Sequence, residues 1–349
     1  MPASPSPTSS REIVVVSGAD DNYAMPLAVT IRSALDRLAP DRRLRLFILD
    51  GELSDDAKRR LADSWSDPRL TLEWLRPDVD LVRDLPVSDH ISIAAYLRLL
   101  MPALLPADVS RVIYLDADML ARRDLGDLWD EPQGAHAALA VQELAAPYVD
   151  SFVALPNIDR CLRYLAAAQP IANFRELGLD PRGKYFNSGL LVVDVARWRR
   201  ERIAERVLDC LRTHRAHVLW WDQYALNVVL AGQWRALDQR WNQGAHVYLY
   251  PDWSYSPVDR AAFARLRRDP WIVHFCSPSK PWHYFCHHPH TRDFRRTLKN
   301  TAWRDWQPDK PDDFLRLWWD HHYQPLRSKW KTNVRALKQA VGYKRKRAA

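Results

Sequence analysis

The chain has 349 residues, 47% of them hydrophobic and 27% charged, which is ordinary globular material, sufficient for one large domain or two modest ones. Its four cysteines, Cys161, Cys210, Cys276 and Cys286, stand far apart with no CxxC among them, which argues against a disulfide scaffold or a zinc ribbon and favours a reducing compartment. The net charge of +8 is local: nine basic residues and no acid follow Asp320, and the rest of the chain holds 42 basic residues against 43 acids.

The first ten residues, MPASPSPTSS, are rich in Pro and Ser, without the basic start and apolar centre of a signal peptide, and are expected to be disordered. EIVVVS (12–17) predicts a strand. Ala24 to Leu38 predicts a helix with Leu27, Ile31, Leu35 and Leu38 on one face, and GADDNY (18–23) reads as the loop between them. LRLFILD (44–50) predicts a second strand, SDDAKRRLADSW a helix opened by Ser54, and RLTLEWL a third strand. His90 to Leu105 predicts a helix broken late by Pro102; its apolar run is interrupted by Arg98 and two prolines and falls short of the roughly 20 residues that span a bilayer. VIYL (112–115) reads as a buried strand. After AALAVQE come about forty residues without clear periodicity, then KYFNSGLLVVD as a strand and a helix built on Trp198, Ile203, Val207 and Leu211. Strands alternating with helices predict an α/β fold, a mostly parallel sheet with helices on both faces.

The strand VIYL runs into Asp116-Ala117-Asp118. In an extended chain alternate side chains share a face, so the two carboxylates are expected side by side, where they repel unless a proton or cation lies between them. A D-x-D triplet is a weak signal, since Asp78-Val79-Asp80 supplies another in the same chain. The position of Asp116 and Asp118 at a strand's carboxyl end, where open α/β sheets place ligands, sets them apart from a merely solvated strand end. GADDNY occupies the equivalent place after the first strand: Asp20 and Asn22 are suited to a base or ribose and Tyr23 to stacking, although an Asx-rich turn is the favoured reading of these residues taken alone. HFCSPSKPW (274–282) sets His274, a borderline ligand that joins carboxylates around Mn²⁺, six residues before Lys280, a point charge for phosphate. The histidines of WHYFCHHPH match no zinc spacing.

GADDNY with the Pro26-Leu27 helix, ISIAAYLRL, VIYLDADML, YFNSGLLVVD, WWDQYALN and HFCSPSKPW, in that order from about Glu12 to Trp282, resemble the signatures of glycosyltransferase family 8. The resemblance implies a GT-A-type, Rossmann-like fold and a metal-dependent retaining hexosyltransferase, similar to the lipopolysaccharide galactosyltransferases and glucosyltransferases. The resemblance further implies transfer of glucose or galactose from UDP-glucose or UDP-galactose to a hydroxyl of a glycan or glycolipid acceptor. By the same resemblance Asp116, Asp118 and His274 look like ligands of Mn²⁺ (or Mg²⁺). Asp20, Asn22 and Tyr23 look like uridine contacts, Lys280 like a diphosphate contact, and Arg98, Ala117 and Asn187 like further donor contacts. Asp222 and Gln223 look like the catalytic pair. Two departures stand out: Ser277 occupies the usual glycine position three residues after the histidine, and Glu143 stands where many members carry aspartate against the sugar.

Two other classes compete. An aspartyl-phosphate phosphatase would use Asp116 as nucleophile and Asp118 as acid/base, but it expects Thr or Val at Met119 and a later GDxxxD that is missing here. A nucleic-acid-binding protein would suit the pI of 9.3, yet the neutral body argues against it, and no nucleic acid is expected as a partner. The expected organisation is a leader over 1–10, a catalytic domain over 11–286, and an aromatic and basic tail over 287–349. Within the tail Leu326, Trp330, Val334, Leu337 and Val341 recur at helical spacing, which predicts a basic amphipathic helix over 326–341 suited to an anionic membrane surface. The expected location is cytoplasmic, peripheral on the inner face of the membrane.

Overall fold

The computed structural model describes residues 11–85 and 93–319. Its strands in chain order are β1 (Glu12–Ala19), β2 (Arg43–Asp50), β3 (Leu70–Leu75), β4 (Arg111–Leu115), β5 (Met119–Ala121), β6 (Ala138–Gln142), β7 (Phe186–Asp194), β8 (Trp234–Ala236), β9 (Gln243–Gly244) and β10 (Ile272–His274). Seven form one sheet in the order β3-β2-β1-β4-β7-β6-β8, and β5-β10-β9 form a small second sheet. In the large sheet every pairing is parallel except those of β7, which runs antiparallel to both β4 and β6.

The continuous apolar character of β1 follows from burial on both faces. Ile13 and Val15 pack with Leu27, Ile31 and Leu35 of α1 (Asp21–Leu35) and with Leu61 of α2 (Asp55–Ser64). Val14 and Val16 face the opposite core, built from Tyr96, Leu97, Val207 and Leu211. This is the expected α/β architecture, a mostly parallel sheet covered on both sides.

Local differences have local causes. GADDNY is not a loop: β1 runs to Ala19, and α1 starts three residues earlier than expected because the Asp20 side chain caps it, accepting from the Tyr23 N–H. The helix predicted over Trp198 to Leu211 is two, Val195–Arg200 and Ile203–Thr213, separated at Arg202, whose φ of 50° is left-handed. In place of the helix expected from His90, residues Ile93–Leu100 form 3₁₀ turns, and Pro102 sits in the first turn of a short helix, Met101–Leu104. The stretch between β6 and β7 contains short helices, Ser151–Ala154 and Ile158–Cys161. The predicted leader 1–10 and tail helix 326–341 lie outside the described residues.

Candidate active site

β4 ends at Leu115, and Asp116-Ala117-Asp118 forms a turn into β5, so the two carboxylates converge from a bend and not from the extended chain expected. Three neighbours pin this bend. Gly189 O of β7 accepts from Asp116 N at 2.8 Å, Asp118 O accepts from Phe275 N at 3.0 Å, and Thr30 of α1 reaches across. Thr30 Oγ1 lies 2.7 Å from Ala117 O and accepts from Met119 N at 3.0 Å, a polar clamp on the buried face of an apolar helix.

β5 pairs with β10, His274 opposite Met119, which carries the imidazole to the carboxylates. His274 Nε2 stands 3.2 Å from Asp118 Oδ1 and 3.6 Å from Asp116 Oδ2. One atom from each of the three residues falls within 4.8 Å of the other two, a two-oxygen, one-nitrogen set suited to a hard or borderline divalent cation. Gly189 makes room for it: a Cβ there would come within 2.5 Å of His274 Cε1 and 2.6 Å of Asp116 Oδ2.

Cations of the protein surround these carboxylates. Lys280 Nζ donates to Asp118 Oδ2 at 2.6 Å and to Phe275 O at 2.7 Å. Burial alone would raise the Asp118 carboxyl, but Lys280 and His274 hold it well below the usual carboxylate range. Burial would likewise push the His274 imidazole down, and the Asp118 and Asp116 carboxylates outweigh it, so the ring is raised. The buried Arg98 lies over the Tyr114 ring, 3.1 Å from Asp116 Oδ1 and 3.0 Å from Asp222 Oδ2, while its Nη1 donates to Ser188 O. It therefore links the carboxylate pair to Asp222 from behind.

Asp222 and Gln223 open the helix Trp221–Val229 directly after a left-handed Trp221 (φ 45°). Burial pushes the Asp222 carboxyl up to about 6 against the pull of Arg98. The Arg98 Nε–H is directed at Ala95 O, so the ion pair leaves Asp222 Oδ2 without a hydrogen-bond donor. A buried carboxylate oxygen in that state is suited to a ligand hydroxyl. Gln223 Oε1 accepts from Ser188 N.

Asn187 of β7 is joined to His274 through Asn242. Its amide is spent inside the protein, Nδ2 donating to Glu143 Oε2 at 2.7 Å and Oδ1 accepting from Gly189 N and from Asn242 Nδ2. Asp20 caps α1 and Asn22 is exposed in its first turn. Tyr23 meets Trp282 edge to face at 5.9 Å, and Lys280 lies 5.8 Å from the Trp282 ring, so the GADDNY and HFCSPSKPW segments adjoin. Sequence reasoning missed Thr30, Gly189 and Asn242. A hydroxyl on the buried stripe of α1 was a usable signal for Thr30, whereas nothing in RWNQG marked Asn242.

Known proteins resemble this chain along most of its length. The chain is 30% identical to general stress protein A of Bacillus subtilis, across 83% of this chain and 94% of that one. It is 24% identical to a lipopolysaccharide 1,2-glucosyltransferase of Escherichia coli, across 88% and 86%. Its fold matches the galactosyltransferase LgtC, solved with donor and acceptor sugar analogues, at a TM-score of 0.68 and 24% identity over 84% of this chain and 99% of that one. Neither the phosphatase nor the nucleic-acid reading finds support in these matches. The profile described as glycosyl transferase family 8 matches residues 14–286, and the chain therefore belongs to that family and is a glycosyltransferase.

Proposed function

We propose that the protein transfers a hexose, glucose or galactose, from a UDP-sugar to a hydroxyl of a glycan or glycolipid with retention of anomeric configuration, using Mn²⁺ or Mg²⁺. The convergence of Asp116, Asp118 and His274 beside the buried Asp222 carries the proposal. The glucosyltransferase and galactosyltransferase among the similar proteins support a hexose donor.

On this reading Asp116, Asp118 and His274 hold the divalent cation, which supplies positive charge against the diphosphate as the sugar–phosphate bond breaks. Lys280 adds a second positive charge to the leaving group, and it must trade Asp118 for phosphate oxygen to do so. Asp20, Asn22 and Tyr23 take the uridine, and Ala117 offers backbone beside it. Arg98 keeps Asp222 near the metal ligands, and Asp222 with Gln223 orients the sugar as its anomeric carbon gains oxocarbenium character.

Incubating the protein with Mn²⁺ and a panel of nucleotide sugars, and measuring nucleoside diphosphate release, tests the proposal. UDP release from UDP-glucose or UDP-galactose is expected, abolished by chelator and by Asp118→Asn. Undiminished turnover in excess chelator would refute it.

We further propose a cytoplasmic enzyme held at the inner membrane face by its tail. Among the described residues no helix is long and apolar enough to cross a membrane. Leu315, Trp318 and Trp319 are exposed directly ahead of the basic segment, which is the composition of an interfacial element.

A further inference from the structure

Asn242 closes the 3₁₀ turn Gln239–Asn242 and is 6% exposed. Its Nδ2 donates to Asn187 Oδ1 at 2.9 Å, and its Oδ1 lies 2.9 Å from His274 Nδ1. Asn187 in turn donates from Nδ2 to Glu143 Oε2, while Glu143 Oε1 accepts from Ala145 N. Four side chains thus form one unbroken line from Glu143 to His274.

The polarity of that line is dictated from one end. An ionised carboxylate only accepts, so Asn187 must turn its NH₂ toward Glu143 and its oxygen away. The Gly189 N–H, 3.0 Å from Asn187 Oδ1, enforces the same orientation. Asn242 then has to present NH₂ to Asn187 and its oxygen to His274. Two acceptors cannot face each other at 2.9 Å, so His274 Nδ1 carries a proton whether the ring is neutral or charged. Nε2 is left as the nitrogen that can bare a lone pair toward Asp116 and Asp118.

We propose that Asn242 is a positioning residue for the metal site: with Asn187 it passes the polarity of the Glu143 carboxylate to His274 and holds Nε2 as the cation-binding nitrogen. A histidine ligand ordinarily donates its second N–H to a carboxylate, carbonyl or water that fixes its tautomer and ring orientation. Here a side-chain amide fills that role and ties it to a carboxylate two residues further along the line. The inference rests on the proposed metal site, and it makes the metal site sensitive to a change at Glu143, which does not touch it.

Calorimetric titration of the nucleotide-free protein with Mn²⁺, together with ¹⁵N NMR of the His274 ring without metal from mildly acidic to alkaline pH, tests it. The wild type is expected to keep a proton on Nδ1 throughout. Asn242→Ala is expected to lose about 10- to 100-fold in Mn²⁺ affinity. Asn242→Asp keeps an acceptor for Nδ1–H but sets an oxygen against Asn187 Oδ1, so it too is expected to weaken binding, as is Glu143→Gln, which gives up one of the two acceptors at the head of the line. Wild-type Nδ1 without a proton at the alkaline end overturns the relay, as does full affinity in Asn242→Ala or unchanged affinity in Glu143→Gln. If the alanine variant does not fold, the wild-type spectrum and Glu143→Gln decide, unchanged affinity in the latter counting against the relay. A wild type that takes up no Mn²⁺ defeats the metal reading instead, and the Nδ1 spectrum still judges the relay separately.

Discussion

Lys280 Nζ stands 2.6 Å from Asp118 Oδ2, so a lysine neutralises one of the two carboxylates of the Asp116-Asp118 pair. Unit charges about 4 Å apart near a protein surface interact by roughly 4 kcal/mol, enough for this contact to compete with metal binding. Lys280→Met is therefore expected to bind Mn²⁺ alone more tightly, by about tenfold (roughly 1.4 kcal/mol), and to bind UDP more weakly. Calorimetry with each ligand separately checks the opposite signs; weaker Mn²⁺ binding in the variant would contradict the competition.

The Asp222 carboxyl makes stability depend on pH in a definite direction. Its folded value of about 6 lies above the ordinary 3.8, so the folded protein holds that proton more tightly than the unfolded chain does. Its contribution to stability is present below about 4, declines as pH rises toward 6, and is absent above that. The difference between the two values corresponds to about 3 kcal/mol. Metal-free Asp222→Asn is expected to exceed the wild type in stability at neutral pH, by up to that amount, and to match it near pH 4, while transfer activity collapses. Urea titrations at the two pH values measure the difference.

Gly189 has no room for a side chain beneath Asp116 and His274. Gly189→Ala must displace His274 or Asp116, at a cost of about 1 to 3 kcal/mol in stability, and Mn²⁺ affinity is expected to fall with it. A variant with wild-type Mn²⁺ affinity would show that the cradle is slacker than its distances imply.

Thr30→Val removes the hydroxyl and keeps the shape. The Met119 N–H then loses its buried acceptor, for a loss of about 1 to 3 kcal/mol, and the Asp116–Asp118 bend loses its clamp. Denaturant unfolding gives the stability term. An Mn²⁺ titration reports whether the bend has loosened, which is the expected result.

For the tail, each basic residue near an anionic surface contributes about 1 kcal/mol. Deleting residues 326–349 is expected to abolish co-sedimentation with anionic vesicles and to leave UDP-sugar hydrolysis nearly intact. Persistent vesicle binding by the shortened chain would refute the role given to the tail.

Much of the fold was legible because burial on both faces leaves a plain mark: Ile13 to Val16 and Leu44 to Leu49 read as strands without any partner being known. Ser54 was legible as a cap for the same reason of local chemistry, its side chain accepting from Ala57 N. Features set by distant partners were not legible. The antiparallel course of β7 leaves no trace in FNSGLLVVD, since a strand buried between two neighbours needs the same residues in either direction. The break at Arg202 was hidden because Trp198, Ile203, Val207 and Leu211 keep nearly helical spacing across it. At the site, Asp116, Asp118 and His274 stood out as residue types at strand ends. Asn242 owes its place to a hydrogen-bonding line between Asn187 and His274, segments far apart in the chain, and no local pattern could announce that.

The pairing of Met119 with His274 joins two segments separated by nearly half the chain. A polypeptide emerging from the ribosome has both aspartates in place early and obtains the imidazole only when β10 arrives and closes the small sheet against β5. The cluster of two carboxylates and an imidazole is thus a property of a nearly finished chain. Products of interrupted translation that stop short of His274 carry the carboxylates without their partner.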